Sequence, residues 1–342
     1  MKKLFCILSC VCALMALCML SASAKTVTGS CGDAVTYTLD TGSGVFTISG
    51  EGDMYHYGME NVPWINYRDD IRTVIINKGV TSIGNGAFHM CENLSKVTIP
   101  DSVTSIGAWV FTCAGIKRLT IPEGVTSIEL NTFRSCEELE SISLPDTLTY
   151  IGNHAFFDCK GLTSITIPSG VTTIKADTFF RCTSLQSVSL PKSLTTIEAE
   201  AFYKCISLKN IEIPDGVTHI GNSAFMHCES LEKITIPESV TQIGKSAFDN
   251  CSDKLIIDYQ NSNTEPTDIP DHINENDSDQ DTEKAPEPVQ GDMDGNGELD
   301  QKDAAALLTA VADDSAPDGA DMNGDGNVSL IDVLMLLKSI NK

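Results

Sequence analysis

The stretch VTTIKADTFFRCTSLQSVSLPKS, residues 171–193, decides the fold because the chain repeats it. Copies start at Val80, Val103, Val125, Leu148, Val171, Leu194, Val217 and Val240, 23 residues apart except for the second copy, which has 22. A fixed period of roughly 20 to 50 residues marks a solenoid, since one unit cannot bury its own apolar face and must stack on neighbours. Counted from the starting residue as zero, apolar residues recur at offsets 0, 3, 8, 14, 17 and 19, here Val171, Ile174, Phe179, Leu185, Val188 and Leu190.

Residues 187–190 alternate polar and apolar, the period of a half-buried strand. A proline follows in copies one to seven, from Pro100 to Pro237, and stops each strand because proline cannot continue a ladder. The Val-Thr-x-Ile piece reads as a second short strand, and A-F-x-x-C as a turn or single helical turn. Coils stacked about 4.8 Å apart make a rod of roughly 40 Å. Threonine stands at offset 1 in all eight copies, and the outward positions of the main strand are mostly Ser and Thr. Such rows support a sheet and keep it wetted; their functional reading is a flat polar face for protein or glycan.

The unit closely resembles the BspA-type leucine-rich repeat, with the pattern L-x-x-I-x-I-P-x-x-V-x-x-I-G-x-x-A-F-x-x-C over residues 80–255. The resemblance implies a mainly β solenoid and a secreted binding or adhesion surface. Eight cysteines, Cys91, Cys113, Cys136, Cys159, Cys182, Cys205, Cys228 and Cys251, are expected at one place in every coil, copy two having lost its residue before Cys113. A line of thiols is not a tetrahedral metal site, and parallel neighbours have poor disulfide geometry; they read as small buried residues. Unpaired thiols on an exported protein point to an anaerobic habitat.

Before the repeats, residues 25–79 hold two alternating runs around residues 40–44, read as a β-hairpin that caps the solenoid. Tyr55, Tyr57, Trp64 and Tyr67 cluster there; the rings can stack on sugars, and the plainer reading is packing of the cap onto coil one. Trp109, the only tryptophan within the repeats, is expected to be exposed and is a candidate contact point together with Tyr55, Tyr57 and Trp64.

Lys2 and Lys3, an apolar run over residues 4–20 and Ala22-Ser23-Ala24 read as a cleaved secretory signal over residues 1–24. No second apolar run reaches membrane length. The net charge of −24 is uneven: residues 252–342 carry 22 Asp or Glu against 5 Lys, leaving −7 for the rest. That argues against nucleic acid and anionic membranes and suits cation binding. The repeats end at residue 258; residues 259–290, acidic and rich in Pro, Asn and Ser, read as a disordered linker.

Residues 291–342 contain two twelve-residue loops, DMDGNGELDQKD (292–303) and DMNGDGNVSLID (321–332). Calcium takes six to eight oxygens, supplied from loop positions 1, 3, 5, 7, 9 and 12. The first loop offers Asp292, Asp294, Asn296, the Glu298 carbonyl, Asp300 and Asp303; the second offers Asp321, Asn323, Asp325, the Asn327 carbonyl, Ser329 and Asp332. Two Ca²⁺ ions are expected. No helix precedes either loop and one is expected after each, at residues 304–312 and 333–340. This arrangement resembles the type I dockerin, a small α-helical module that plugs secreted proteins into a scaffoldin through its cohesins, in the cellulosome that degrades plant polysaccharide. The resemblance implies cohesin contact at loop positions 10 and 11, here Gln301 and Lys302, and Leu330 and Ile331. These pairs differ between the halves and from the Ser-Thr-like pairs common in the family.

The sequence therefore reads as a non-catalytic secreted cellulosome component whose solenoid binds an unidentified protein or glycan. The competing readings are a polysaccharide-degrading enzyme, disfavoured because no paired carboxylates or G-x-S-x-G elbow appear, and a regulator of partner enzymes.

Overall fold

The computed structural model describes residues 24–58 and 61–260. Three antiparallel strands open the chain, β1 (Thr26–Ser30), β2 (Val35–Asp40) and β3 (Val45–Gly50). The expected hairpin is β2–β3, with Asp40 opposite Val45, and β1 adds an edge strand to it. Asp40 closes the turn, its carboxylate accepting from the Gly42 N–H and the Ser43 hydroxyl. The direction then changes: β4 (Thr73–Ile76) runs parallel to β3, and Lys96–Thr98, the main strand of coil one, runs parallel to β4. The cap is thus a continuation of the solenoid sheet in which β2 alone runs against the coil strands. Among the described residues the only helical segment is a 3-10 turn, Ile65–Asp70, between β3 and β4.

Each coil has three sides. The main strand, three residues long in coil five (Ser187–Ser189), pairs in parallel with its neighbour, Ile165 lying beside Val188. The Val-Thr-x-Ile side gives a two-residue strand, as in Thr173–Ile174, stacked on Thr196–Ile197 and onward to Gln242–Ile243. The A-F-x-x-C side is a run of turns. There the N–H groups at offsets 6, 8 and 10 donate to the next coil, as Asp177, Phe179 and Arg181 do to the carbonyls of Ala199, Ala201 and Tyr203. Offsets 6 and 10 have positive φ in every coil, for example Asp177 at 55° and Arg181 at 56°. This left-handed pair lets a corner run every second amide along the rod axis. Asn, Asp, His and Ser recur there, among the side chains that tolerate the conformation best.

The inward residues form ladders. Phe88, Phe111, Phe133, Phe156, Phe179, Phe202 and Phe225 are fully buried, and their rings stack at 5.2–5.9 Å. Such pairs add about 0.5–1.5 kcal/mol each beyond area burial. The column ends on the cap, where Phe46 and Trp64 meet Phe88 and the Trp64 Nε1–H donates to the Ala87 carbonyl at 2.8 Å.

The thiol ladder corrects one sequence expectation. Cys113 is not in it. Cys113 lies at offset 10, half-buried, with φ 56° and its N–H on the Arg134 carbonyl, as Ser135 and Asp158 use theirs one and two coils later. Ala114, 2% exposed, holds the buried place instead. Copy two therefore loses its residue after Cys113, in the short turn toward Ile116, and a smaller side chain fills the interior where the coil is tighter.

A second regularity spans pairs of coils. The residue before each start alternates: Gly79, Ser102, Gly124, Thr147, Gly170, Ser193, Gly216, Ser239. Each hydroxyl donates one coil back, Ser102 to the Val80 carbonyl at 2.8 Å and Ser239 to that of Val217 at 2.7 Å. At Gly79, Gly170 and Gly216 a side chain has no room; a Cβ on Gly170 would lie 2.6 Å from the Leu148 carbonyl oxygen.

Candidate functional site

The surfaces available for recognition follow from these ladders. On the main strands every second residue points outward. In the middle three coils these are Ser141, Ser143, Ser164, Thr166, Ser187 and Ser189, all exposed. Ion pairs flank this uncharged panel. Arg118 meets Glu140 at 2.8 Å and Lys117 meets Glu138 at 3.4 Å on one side; Lys233 meets Asp258 at 3.3 Å on the other. Exposed pairs of this kind contribute at most about 1 kcal/mol. They neutralise the flanks more than they hold the rod.

The offset-1 threonines serve the rod itself. The hydroxyls of Thr195 and Thr218 donate to the carbonyls of Thr172 and Thr195 at 3.0 and 3.3 Å, beside the N–H bonds that follow the same path. The Thr195 hydroxyl proton is thereby committed to the backbone, while the Thr218 hydroxyl also lies 2.6 Å from His219 Nδ1.

A second column, not read from the sequence, lies on the turn side. Arg134, Phe157, Phe180 and Tyr203 share offset 9, and aligning the copies by that offset reveals it. Phe157 and Phe180 stack at 4.6 Å and 3°, Phe180 and Tyr203 at 4.7 Å and 12°. The Arg134 guanidinium lies 4.4 Å over Phe157. Because the rings cover one another's faces, only their edges reach water, and the stack is not a platform for sugar rings. Charged rows border it, with Asp158 3.5 Å from both Lys160 and Arg181. His154 lies 3.4 Å from Asp177, yet burial and the nearby Arg134 charge pull its pKa down to about 4. The imidazole is neutral near pH 7, so the contact is not a charge pair.

The four aromatic candidates separate. Tyr55 is 45% exposed and its hydroxyl donates to Asp33 at 2.8 Å. Tyr57 is half-buried with its ring against Trp64. Trp64 is fully buried between Tyr37, Phe46 and Phe88, which removes it from any ligand surface; it packs the cap onto coil one. Trp109, expected to be exposed, is half-buried in the left-handed position at φ 60°. The structure does not gather Trp109 with the tyrosines into one site.

No thiol of the ladder is a nucleophile. Burial raises Cys91 to about 12 and holds Cys159, Cys205 and Cys228 far above the ordinary thiol range. Among the described residues no three His, Cys, Asp or Glu side chains converge as a metal site, and no helix is long and apolar enough to cross a membrane. The signal segment, the linker, the calcium loops at 292–303 and 321–332 and the cohesin-contact pairs Gln301/Lys302 and Leu330/Ile331 lie outside the described residues.

Comparison with known proteins covers both halves of the chain. The BspA-type leucine-rich repeat model matches residues 66–186 and 152–276, and the type I dockerin model matches residues 289–341. No curated protein matches the chain. Among solved structures, a leucine-rich repeat protein from Eubacterium ventriosum is 25% identical, over 63% of this chain and 75% of that one, with a TM-score of 0.42. The leucine-rich repeat protein of T. pallidum is 26% identical over 61% and 82%, with a TM-score of 0.41. A leucine-rich cell surface protein from Faecalibacterium prausnitzii is 25% identical over 71% and 97%, with a TM-score of 0.27.

Proposed function

The chain belongs to the BspA-type leucine-rich repeat family and carries a type I dockerin domain, and from that premise we propose that it is a non-catalytic, extracellular component of a cellulosome-type assembly. The dockerin match at residues 289–341 carries this reading. Type I dockerins bind calcium and dock on cohesins, and both of this chain's domains are of non-catalytic kinds. In our reading residues 1–24 are a cleaved export signal, residues 25–79 the cap, residues 80–258 the binding rod and residues 259–290 the tether.

The donor set fits calcium, every proposed ligand being an oxygen. Asp292, Asp294, Asn296, Asp300 and Asp303 hold one ion with the Glu298 carbonyl; Asp321, Asn323, Asp325, Ser329 and Asp332 hold the other with the Asn327 carbonyl. Bound calcium neutralises the crowded carboxylates and lets the short module fold; a segment of about 50 residues has little apolar core of its own. The folded module then presents Gln301, Lys302, Leu330 and Ile331 to a cohesin. The rod is the cargo, a protein-binding surface whose uncharged hydroxyl panel and exposed Tyr55 are its candidate contacts, with a role in adhesion or in holding polysaccharide near the partner enzymes.

The test is capture of the chain from residue 25 by immobilised cohesin in calcium and in EDTA. Expected is binding in calcium, loss in EDTA, and loss in the double variant Asp292→Ala, Asp321→Ala. Capture that survives EDTA and the double substitution overturns the docking assignment. Hydrolysis of cellulose, xylan or pectin by the purified chain overturns the non-catalytic one.

A further inference from the structure

The rod closes differently at its two ends. At the first, the antiparallel strands β1, β2 and β3 cover coil one. At the other, the coil that starts at Val240 has no successor among the described residues. Its inward residues Val240, Ile243, Phe248, Cys251 and Leu255 are half-buried, while their counterparts one coil earlier, from Val217 to Leu231, are at most 2% exposed.

The backbone of this coil is also unfinished. On the turn side, Ser223, Phe225 and His227 donate their N–H groups to the carbonyls of Lys245, Ala247 and Asp249. The matching N–H groups of Ser246, Phe248 and Asn250 meet no acceptor among the described residues. On the Val-Thr-x-Ile side, the carbonyls of Thr218 and Ile220 accept from Thr241 and Gly244; those of Thr241 and Ile243 have no counterpart donor among the described residues. The third side is the open edge of Ile256–Tyr259. Where earlier main strands begin with Lys96, Arg118, Ser141, Ser164, Ser187, Asn210 or Lys233, this one begins with Ile256, 63% exposed. An edge strand without a blocking lysine or proline and with an exposed isoleucine is open to pairing.

We propose that this end is a tail-to-tail interface between two copies of the chain, related by a two-fold axis perpendicular to the rod. Two identical coils that face each other run around the axis in opposite senses. Pairing the two Ile256–Tyr259 strands antiparallel therefore lays the Val-Thr-x-Ile side of one copy over the turn side of the other. The donors of Ser246, Phe248 and Asn250 face the acceptors of Thr241 and Ile243, twice by symmetry, and the apolar centres close on each other. The contact is isologous and stops at two, because the two-fold axis uses the same end of both copies. The chain's own continuation is a poor cover: residues 261–290 carry Pro266 and Pro270, which cannot extend a ladder, and offer Ile269, Ile273 and Val289 as their only large aliphatics. The dimer would bear two dockerins and bridge two cohesins; that consequence rests on the reading above, the dimer itself does not.

Sedimentation equilibrium of the chain from residue 25, in calcium and in EDTA, tests this against Ile256→Lys and Phe248→Asp. Expected is a dimer in both buffers, with each substitution weakening association by about tenfold or more. At a dilution where the parent chain is monomeric, Ile256→Lys should leave the melting curve unchanged, so its effect is not unfolding. Hydrogen exchange should show the amides of Ser246, Phe248 and Asn250 protected at high concentration and released on dilution. A monomer at about 100 µM, a dimer indifferent to both substitutions, a dimer lost in EDTA, or protection that persists on dilution each overturns the proposal, the last by showing the chain's own tail on the site. Failure of every form to bind cohesin would count against the dockerin reading and leave the dimer standing.

Discussion

The Cys182 thiol donates to the backbone carbonyl of Phe156, one coil back, over 3.1 Å. The same bond recurs from Cys159 to Phe133, Cys205 to Phe179 and Cys228 to Phe202 at 3.1–3.2 Å. Each ladder phenylalanine donates its N–H forward to the next coil, and except at Phe88, where Ala114 replaces the cysteine, a thiol from that coil engages its carbonyl. Cysteine suits the place because it is small, packs as a hydrophobe and still carries a weak donor. Cys182→Ala should cost about 1–3 kcal/mol, from a small cavity and a buried carbonyl left with one bond fewer. Urea unfolding measures this, and a loss below about 0.5 kcal/mol would mean the thiol bonds are incidental.

Thiol labelling tests the corrected position of Cys113. Cys113 and Cys251 are half-buried; the other seven described cysteines are buried. Under native conditions a thiol reagent should modify at most Cys113 and Cys251, slowly, because burial raises both thiols above their ordinary range. Full labelling should follow unfolding. Rapid native labelling of Cys136 or Cys159 would contradict the burial of the ladder.

The repeat was legible because its code is local: one proline, one phenylalanine and one Val-Thr-x-Ile per period fix where each coil turns. The β2–β3 hairpin was legible from the two alternating runs around residues 40–44. Cys113 was not, because a one-residue deletion can be placed on either side of a cysteine, and only the burial of Ala114 and the φ of Cys113 decide it. Trp109 was misplaced outward, and Trp64 was kept as a contact candidate beside its plainer packing reading, because a lone aromatic has no periodicity; a packing partner such as Phe88 is distant in sequence. The column Arg134, Phe157, Phe180, Tyr203 escaped notice because only part of the repeats carry it. The open last coil is marked in the sequence by the missing proline and by an isoleucine where the row is otherwise polar.

Gly170 and Ser193 occupy the same offset in neighbouring coils, yet their substitutions should differ. A Cβ on Gly170 would stand 2.6 Å from the Leu148 carbonyl oxygen, so Gly170→Ala forces backbone to shift and should cost about 1–3 kcal/mol. Ser193→Ala only releases a hydroxyl that lies 2.6 Å from the Ser169 carbonyl and 3.0 Å from that of Val171, and should cost about 0.5–1.5 kcal/mol. Paired melting curves check the order. A larger loss for Ser193→Ala would show that the two-coil alternation is not steric.

His89 and His154 give the rod an acid limit. Both are pulled down to about 4 by burial first and then by a neighbouring cation, Arg68 for His89 and Arg134 for His154. An unfolded histidine titrates near 6.5, so between about pH 6.5 and 4 the unfolded chain binds protons that the folded rod refuses. Stability from these two groups is therefore complete above about pH 6.5 and falls as the pH drops toward 4, each adding a slope of at most about 1.4 kcal/mol per pH unit. The double variant His89→Gln, His154→Gln should flatten the melting temperature across that window while leaving its value near pH 7 within a few degrees. An unchanged slope in the variant would place the acid sensitivity in other groups; Asp53 is not one of them, since its bonds to the Thr81 and Ser82 hydroxyls hold its carboxyl below the ordinary range and its contribution is lost only below that window.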